Sequence, residues 1–262
     1  MIRRKSREVD IGGVPMGGNH PIRVQSMTNL PTADIDGQVE QIRRIVEAGG
    51  EYVRITTPTL KDVEHLAEIK RKLKSTDLSP LDRGDTGGYV PIIADVHFSP
   101  KNAIAAAKVA DKVRINPGNF VKNKKSDDLL PSPSSGASTG EGLGVRRTFP
   151  KELFEAMLPF IDTCKEYGTV IRIGTNHGSL SERIMKLYGD TPLGMVEATL
   201  EAVRVCAAED FHDIVLSLKS SNVRVVTEAT RLLVSKMDDE GFDYPIHLGV
   251  TEAGDGDDGR IK

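Results

Sequence analysis

The feature that most constrains this chain is an alternation. Short runs of β-branched and apolar residues are separated by longer stretches with helical spacing, repeated along most of the 262 residues. The series starts with a strand at Pro21–Met27 and a helix at Asp34–Gly49, in which Ile35, Val39, Ile42, Ile45 and Val46 share one face. Strand Tyr52–Thr56, helix Lys61–Leu73, strand Pro91–Val96, helix Pro100–Ala110 and strand Lys112–Asn116 follow. After an interruption come helix Lys151–Tyr167, strand Val170–Gly174, helices at Ser179–Tyr188 and Leu193–Ala208, strand Asp213–Lys219, helix Asn222–Glu240 and strand Pro245–Val250. Parallel strands need long crossovers and antiparallel ones do not, so about seven β/α units predict a parallel sheet with helices outside it. The sheet is either closed as a TIM-type (β/α)8 barrel or open and doubly wound.

Three segments depart from the rhythm. Residues 1–20 carry REVDIGGVPMGG, two short strands around a glycine turn, and predict an N-terminal β-hairpin ahead of a barrel domain over 21–262. Ser75–Gly88 and Val121–Arg147 are expected to be surface loops, the second mobile, because a stretch such as LLPSPSSGASTGEGLG has too little apolar content to bury a core. The sequence ends at TEAGDGDDGRIK, before an eighth strand and its helices. A barrel incomplete at its C-terminus is therefore expected, with exposed strand edges that favour association or partial disorder.

Composition narrows the partners. With 35 basic and 38 acidic side chains the formal charge is −3, which argues against a bulk electrostatic binder of nucleic acid or of an anionic membrane. Aromatic residues make up 5% and tryptophan is absent, which argues against a stacking platform for single strands. Cys164 and Cys206 lie in helical patterns and form neither a disulfide framework nor a thiolate metal site, as expected in a reducing cytoplasm. No window approaches the ~18 apolar residues of a membrane span, and the N-terminus lacks a secretory apolar stretch.

Positive charge is nevertheless concentrated locally. Three strands repeat one pattern, VRI at Val53–Ile55, VRI at Val113–Ile115 and IRI at Ile171–Ile173, which puts Arg54, Arg114 and Arg172 on the face opposite their apolar neighbours. Covered by helices on both faces, such arginines would be buried charges costing several kcal/mol; at a barrel mouth they can meet a ligand. The same parity brings in Gln25, Asp95, His97, Ser217, Lys219 and His247. The excess of cations predicts a phosphate or carboxylate ligand, and structural ion pairing inside the barrel is the alternative. INPGNF at Ile115–Phe120 and IGTNHGSL at Ile173–Leu180 supply glycines for close backbone approach, the donors Asn116, Asn119 and Asn176, and a capping box from Ser179 to Glu182. Asp95, His97, His177 and His247 have ligand chemistry for a metal, but cationic surroundings oppose a second positive centre. Ser217 and Ser220 have no nucleophile elbow around them.

The segments HPIRVQSMT, VRIT, ADVHF, KVRINPGNF, IRIGTNHGSLSERIM, YGDTPLGMVE and HLGVTEAGDGDDGRIK resemble 4-hydroxy-3-methylbut-2-enyl diphosphate synthase, in the larger, insertion-containing form of some bacteria and plastids. The likeness runs from about Arg3 to Lys262, broken only at the two loops. It implies an enzyme of isoprenoid biosynthesis that reductively opens 2-C-methyl-D-erythritol 2,4-cyclodiphosphate with two electrons from flavodoxin or ferredoxin. In that family a TIM barrel binds the diphosphate, and a separate C-terminal domain holds a [4Fe-4S] cluster on three cysteines and a glutamate. Carried over motif by motif, Arg54, Arg114, Arg172, Asn176 and Lys219 correspond to diphosphate ligands. Gln25, Asp95, His97, Asn116, His177, Ser217, Ser220 and His247 correspond to further pocket residues. The cluster domain is not among these residues, so this portion is expected to bind rather than catalyse, in the bacterial cytoplasm or a plastid, with self-association open. The alternatives are a dihydropteroate-synthase-like transferase and a non-catalytic phospholigand-binding module.

Overall fold

A computed structural model describes residues 4–75, 88–96, 99–120, 129–131 and 148–254. In chain order the elements are β1 (Glu8–Ile11), β2 (Val14–Gly17), β3 (Gln25–Met27), α1 (Ile35–Glu47), β4 (Tyr52–Thr56), α2 (Leu60–Lys74), β5 (Ile92–Asp95), α3 (Pro100–Ala107) and β6 (Lys112–Ile115). After a single 3-10 turn at Pro117–Asn119 come β7 (Leu129–Pro131), β8 (Thr148–Pro150), α4 (Lys151–Tyr167), β9 (Val170–Asn176), α5 (Glu182–Tyr188), α6 (Pro192–Ala208), β10 (Ile214–Lys219) and α7 (Val223–Glu240). The chain divides into two compact units, Met1–Ile115 with Asp162–Arg172, and Asn116–Ile161 with Ile173–Lys262.

In the first unit β3, β4, β5 and β6 pair in parallel and in chain order, with Met27 opposite Arg54, Arg54 opposite Ile93, and Asp95 opposite Arg114. The first residues of β9 continue the series, the Val170 N–H donating to the Asp111 carbonyl at 3.1 Å. The order advances in one direction without reversing. A doubly wound sheet reverses at a switch point, so this winding is that of a barrel. The helices begin where local chemistry starts them. Asp34 caps α1, Thr59 and Asp62 form a reciprocal capping box on α2, and Ser99 followed by Pro100 opens α3. Val63, Leu66, Ile69 and Leu73 of α2 recur at helical spacing and are fully or nearly fully buried.

β1 and β2 form the expected hairpin, closed by Gly12 and Gly13 at φ +58° and +83°, with the Gly13 N–H donating to Asp10 at 2.6 Å. The hairpin buries Val9, Ile11, Val14 and Met16. It is tied down from two sides. The Tyr52 hydroxyl donates to the Val14 carbonyl at 2.8 Å, and Gly12 lies so close to Asp111 that a Cβ would come within 2.9 Å of its carboxyl carbon. Asp111 itself accepts from Lys70 at 2.9 Å, the Tyr89 hydroxyl at 2.7 Å and the Ile92 N–H at 2.8 Å.

In the second unit β10 lies beside the rest of β9, and the His177 N–H donates to the Lys219 carbonyl at 2.9 Å just past the ends of both strands. Helix α6 is buried from Gly194 to Cys206, including Glu197, Glu201 and Arg204. Those charges are paired: Arg204 grips Glu240 through two hydrogen bonds of 2.9 and 2.5 Å and donates to the Thr148 carbonyl at 3.2 Å. Lys236 meets Glu197 at 2.7 Å, and Arg183 meets Glu201. A helix buried all round tolerates such residues only when each is matched.

Three expectations need correction. Residues 121–147 are not loop throughout, since β7 falls within them and pairs antiparallel with β8; the short apolar Leu129–Leu130–Pro131 run is diluted when the segment is judged by its average composition. The capping box from Ser179 does not form: α5 starts two residues later, with the Ser181 hydroxyl accepting from the Ile184 N–H. No strand spans Pro245–Val250, where a single parallel bridge joins Leu216 to Ile246. Pro245 has no N–H to add to a ladder and Gly249 favours none. Most of Ser75–Gly88 lies outside the described residues, as do His97 and the residues after 254. Gly12→Ala should lower the unfolding free energy by about 1–2 kcal/mol, from the left-handed backbone alone, with the contact on Asp111 adding to it; urea denaturation of the two proteins measures the difference.

Candidate anion-binding site

The parity of the parallel strands builds the site. In the first unit the residues Arg54, Asp95, Arg114 and Arg172 stand on four successive strands. Arg54 Nε is 3.4 Å from Asp95 Oδ2, and Arg114 Nη1 donates to Asp95 Oδ1 at 3.2 Å. Arg172 is fully buried and lies within the electrostatic reach of all three. Three guanidinium groups and one carboxylate leave an excess of two positive charges in this cluster among the described residues. Structural ion pairing is therefore present, the Asp95 carboxylate being divided between Arg54 and Arg114.

The electrostatic consequences follow from burial. Burial first, then Arg54 and Arg114, push the Arg172 guanidinium down to about 9, with Asp95 acting in the opposite sense. Arg114 is lowered as well, by burial foremost, against the support of Asp95. An arginine keeps its proton at neutral pH, so these groups stay charged despite their burial. Planar guanidinium groups suit phosphate and carboxylate oxygens.

Beneath this row on the same inward parity is Lys112, two residues before Arg114 on β6. Its side chain has no exposure, and Nζ lies 4.7 Å from the centroid of the Tyr52 ring. Nζ has no hydrogen-bond partner among the described residues. Burial, then Arg172, lower its pKa well below the ordinary lysine value. The same alternation that singles out Arg114 contains Lys112, so the signal stood in the sequence, in KVRI read two residues earlier.

The other expected residues are placed as follows. Gln25 is half-buried at the start of β3, its Oε1 without a hydrogen-bond partner among the described residues. In the second unit Asn116 is used as a brace: its side-chain amide donates to the Ser179 carbonyl at 3.3 Å and its oxygen accepts from the Gly118 N–H at 3.2 Å. Gly118 allows this approach, because a Cβ there would lie 2.6 Å from the Ser179 carbonyl oxygen. Asn176 ends β9, and its carbonyl accepts from the Ser179 N–H at 3.1 Å. His177 is exposed and held by Asp190, whose carbonyl is 3.2 Å and carboxylate 3.6 Å from Nε2, while the same carboxylate accepts from the Gly178 N–H at 3.0 Å. Asp190 has no periodic signal in the sequence, since it reaches His177 only through a loop. Ser217 is fully buried and Ser220 nearly so, the Ser220 hydroxyl accepting from the Asn222 N–H at 3.1 Å. Lys219 and His247 are half-buried, and a Cβ on Gly249 would lie within 3.7 and 3.8 Å of their Cε and Nε2.

The sequence as a whole matches a known family. The sequence pattern of the GcpE TIM-barrel domain covers residues 6–262. The chain belongs to the GcpE TIM-barrel family. Over 260 residues it is 51% identical to the 4-hydroxy-3-methylbut-2-en-1-yl diphosphate synthase (flavodoxin) of Bacteroides fragilis strain YCH46, covering 99% of this chain and 38% of that protein. Over 263 residues it is 43% identical to the chloroplastic 4-hydroxy-3-methylbut-2-en-1-yl diphosphate synthase (ferredoxin) of Oryza sativa subsp. japonica, covering 99% of this chain and 32% of that one. The chain thus spans about a third of the length of these relatives. Among solved structures, the N-acetylneuraminic acid synthetase of Leptospira borgpetersenii serovar Hardjo-bovis matches with a TM-score of 0.57 at 11% identity, covering 97% of this chain and 73% of that one, which is a likeness of fold. The family membership decides for the GcpE barrel over the dihydropteroate-synthase-like alternative.

A lysine lowered by burial stabilises nothing while it must be stripped of its proton. Between its lowered folded value and the ordinary value of about 10.4, the unfolded chain binds a proton that the folded chain does not, so stability rises with pH across that window. Lys112→Met should accordingly raise the melting temperature at pH 7, and its advantage over the wild type should shrink as the pH approaches 10. Thermal unfolding followed by circular dichroism across this range reads both the sign and the slope.

Proposed function

We propose that this chain is the substrate-binding barrel of a 4-hydroxy-3-methylbut-2-enyl diphosphate synthase, taking 2-C-methyl-D-erythritol 2,4-cyclodiphosphate by its diphosphate. The observation that carries this reading is the cluster of Arg54, Arg114 and Arg172 around the single carboxylate of Asp95. Three guanidinium groups gathered on neighbouring strands suit a cyclic diphosphate, in which each phosphorus carries one strongly acidic hydroxyl. Asn176 and Lys219 are assigned to the same ligand on the matching motifs alone, with Gln25, Asn116, His97, His177, Ser217, Ser220 and His247 as further pocket residues on the same ground.

The chain's own part in the reaction is binding, orientation and charge. Guanidinium groups fixed by packing and by Asp95 need no reorganisation when a phosphate oxygen departs from carbon and gains negative charge, which is the condition for electrostatic stabilisation of that step. Two electrons have to come from elsewhere, and the names of the relatives cite flavodoxin in the bacterium and ferredoxin in the chloroplast. The [4Fe-4S] cluster implied by the family resemblance does not fit the residues described here. Cys164 and Cys206 are buried on α4 and α6, and no group of three or more His, Cys, Asp or Glu side chains is arranged to hold a metal ion among the described residues. We therefore assign the cluster to the further domain that the resemblance implies, and no step to it in this chain. No helix among the described residues is long and apolar enough to cross a membrane. We infer a bacterial cytoplasmic or plastid setting, without nucleic acid as a partner.

Titration calorimetry of the cyclodiphosphate into the chain tests this reading. Arg114→Ala and Arg172→Ala should each weaken binding by roughly 1.5–3 kcal/mol, the scale of a hydrogen bond to a charged group. Affinity unchanged by both substitutions would overturn the assignment.

A further inference from the structure

We propose that Lys112 is a proton-binding site coupled to the anion site, so that a dianionic diphosphate settling on Arg54, Arg114 and Arg172 is accompanied by uptake of one proton on the Lys112 amine. The inference rests on the diphosphate reading and adds a second ligand to it, the proton itself. The proton comes from solvent, and no other bond is made or broken.

The geometry isolates this amine. Lys112 has no exposure, its Nζ has no hydrogen-bond partner among the described residues, and the face of Tyr52 lies 4.7 Å away. The titratable and charged groups on the surrounding elements are few. Among the described residues they are Tyr52 and Arg54 on β4, Asp95 on β5, Arg114 on its own strand and Arg172 on β9, while α3 packs against β6 with buried alanines and Asn102. The Tyr52 phenol donates to the Val14 carbonyl, and burial raises it above its ordinary range, so it holds its own proton. Asp95 is occupied by Arg54 and Arg114. What decides whether Lys112 carries a proton is therefore its burial, and after it the positive charge of Arg172.

A dianion changes that field. It sets negative charge against Arg172, the arginine that acts on Lys112, and in a low-dielectric interior that change is felt over the distance of a side chain. The ammonium form then has the anion on one side and the electron-rich ring face on the other. The arginines do not compete for the proton near neutrality, since they already hold theirs.

Calorimetry in HEPES and in Tris, whose ionisation enthalpies differ, reads proton uptake directly. The cyclodiphosphate stays a dianion throughout, so it contributes no proton of its own. The wild-type chain should take up as much as one proton per ligand, with an affinity that falls by up to about tenfold per pH unit above neutrality. Lys112→Met should bind without uptake and without that pH dependence. The Cε resonance of Lys112 in 13C-lysine-labelled wild-type chain should move from its amine to its ammonium position on titration, which tests the coupling without a variant. Binding with no uptake, uptake retained in Lys112→Met, or an unmoved Cε resonance would overturn the coupling and leave the diphosphate reading standing. Absence of binding by the wild-type chain would overturn both.

Discussion

Charge buried inside a sheet has to be answered by opposite charge, and here three arginines gather around one aspartate. Arg54, Arg114 and Arg172 come from three strands and share the carboxylate of Asp95 from a fourth. Removing the solvent from three guanidinium groups is expensive, and the carboxylate of Asp95 offsets that cost for Arg54 and Arg114. Much else in this unit can be understood as holding those four side chains in register.

Several features serve that end. The parallel pairing of β3 to β6 sets Asp95 directly opposite Arg114 and within reach of Arg54. The hairpin of β1 and β2 packs against the same unit and receives the Tyr52 hydroxyl, so the aromatic ring beside Lys112 is fixed from its far end. Asp111, next to Lys112 in sequence, is locked by Lys70, Tyr89 and the Ile92 N–H, and this anchors the start of β6. In the second unit the same principle is met differently. Arg204 on α6 and Glu240 on α7 match each other through two hydrogen bonds, which is a closed ionic structure that asks for no ligand.

The chain belongs to the GcpE TIM-barrel family, and relatives named for a diphosphate product match nearly all of it. Arginines on rigid strands are aimed more precisely than arginines on loops, because each guanidinium is directed by backbone pairing and not by loop conformation.

Most of the fold was legible in the amino-acid sequence, because periodicity records which face of an element is buried. The helices at α2 and α4 and the strand Tyr52–Thr56 fall within a residue or two of where apolar spacing puts them. The inward set of Arg54, Asp95 and Arg114 follows from strand parity, a local property. Other features were not legible, for reasons that are equally physical. β7 is three residues long and surrounded by polar sequence, Ser181 displaced Ser179 as a cap because the turn from Asn176 to Ser179 takes up the earlier residues, and Asp190 reaches His177 across a loop. Sequence by itself determined the alternating architecture, the residue types facing inward and the family they belong to. Only tertiary structure decided that a single carboxylate is divided between two arginines beside a third, and that Lys112 is shut away against Tyr52, because burial and through-space distance are set by packing between strands that sequence spacing does not encode.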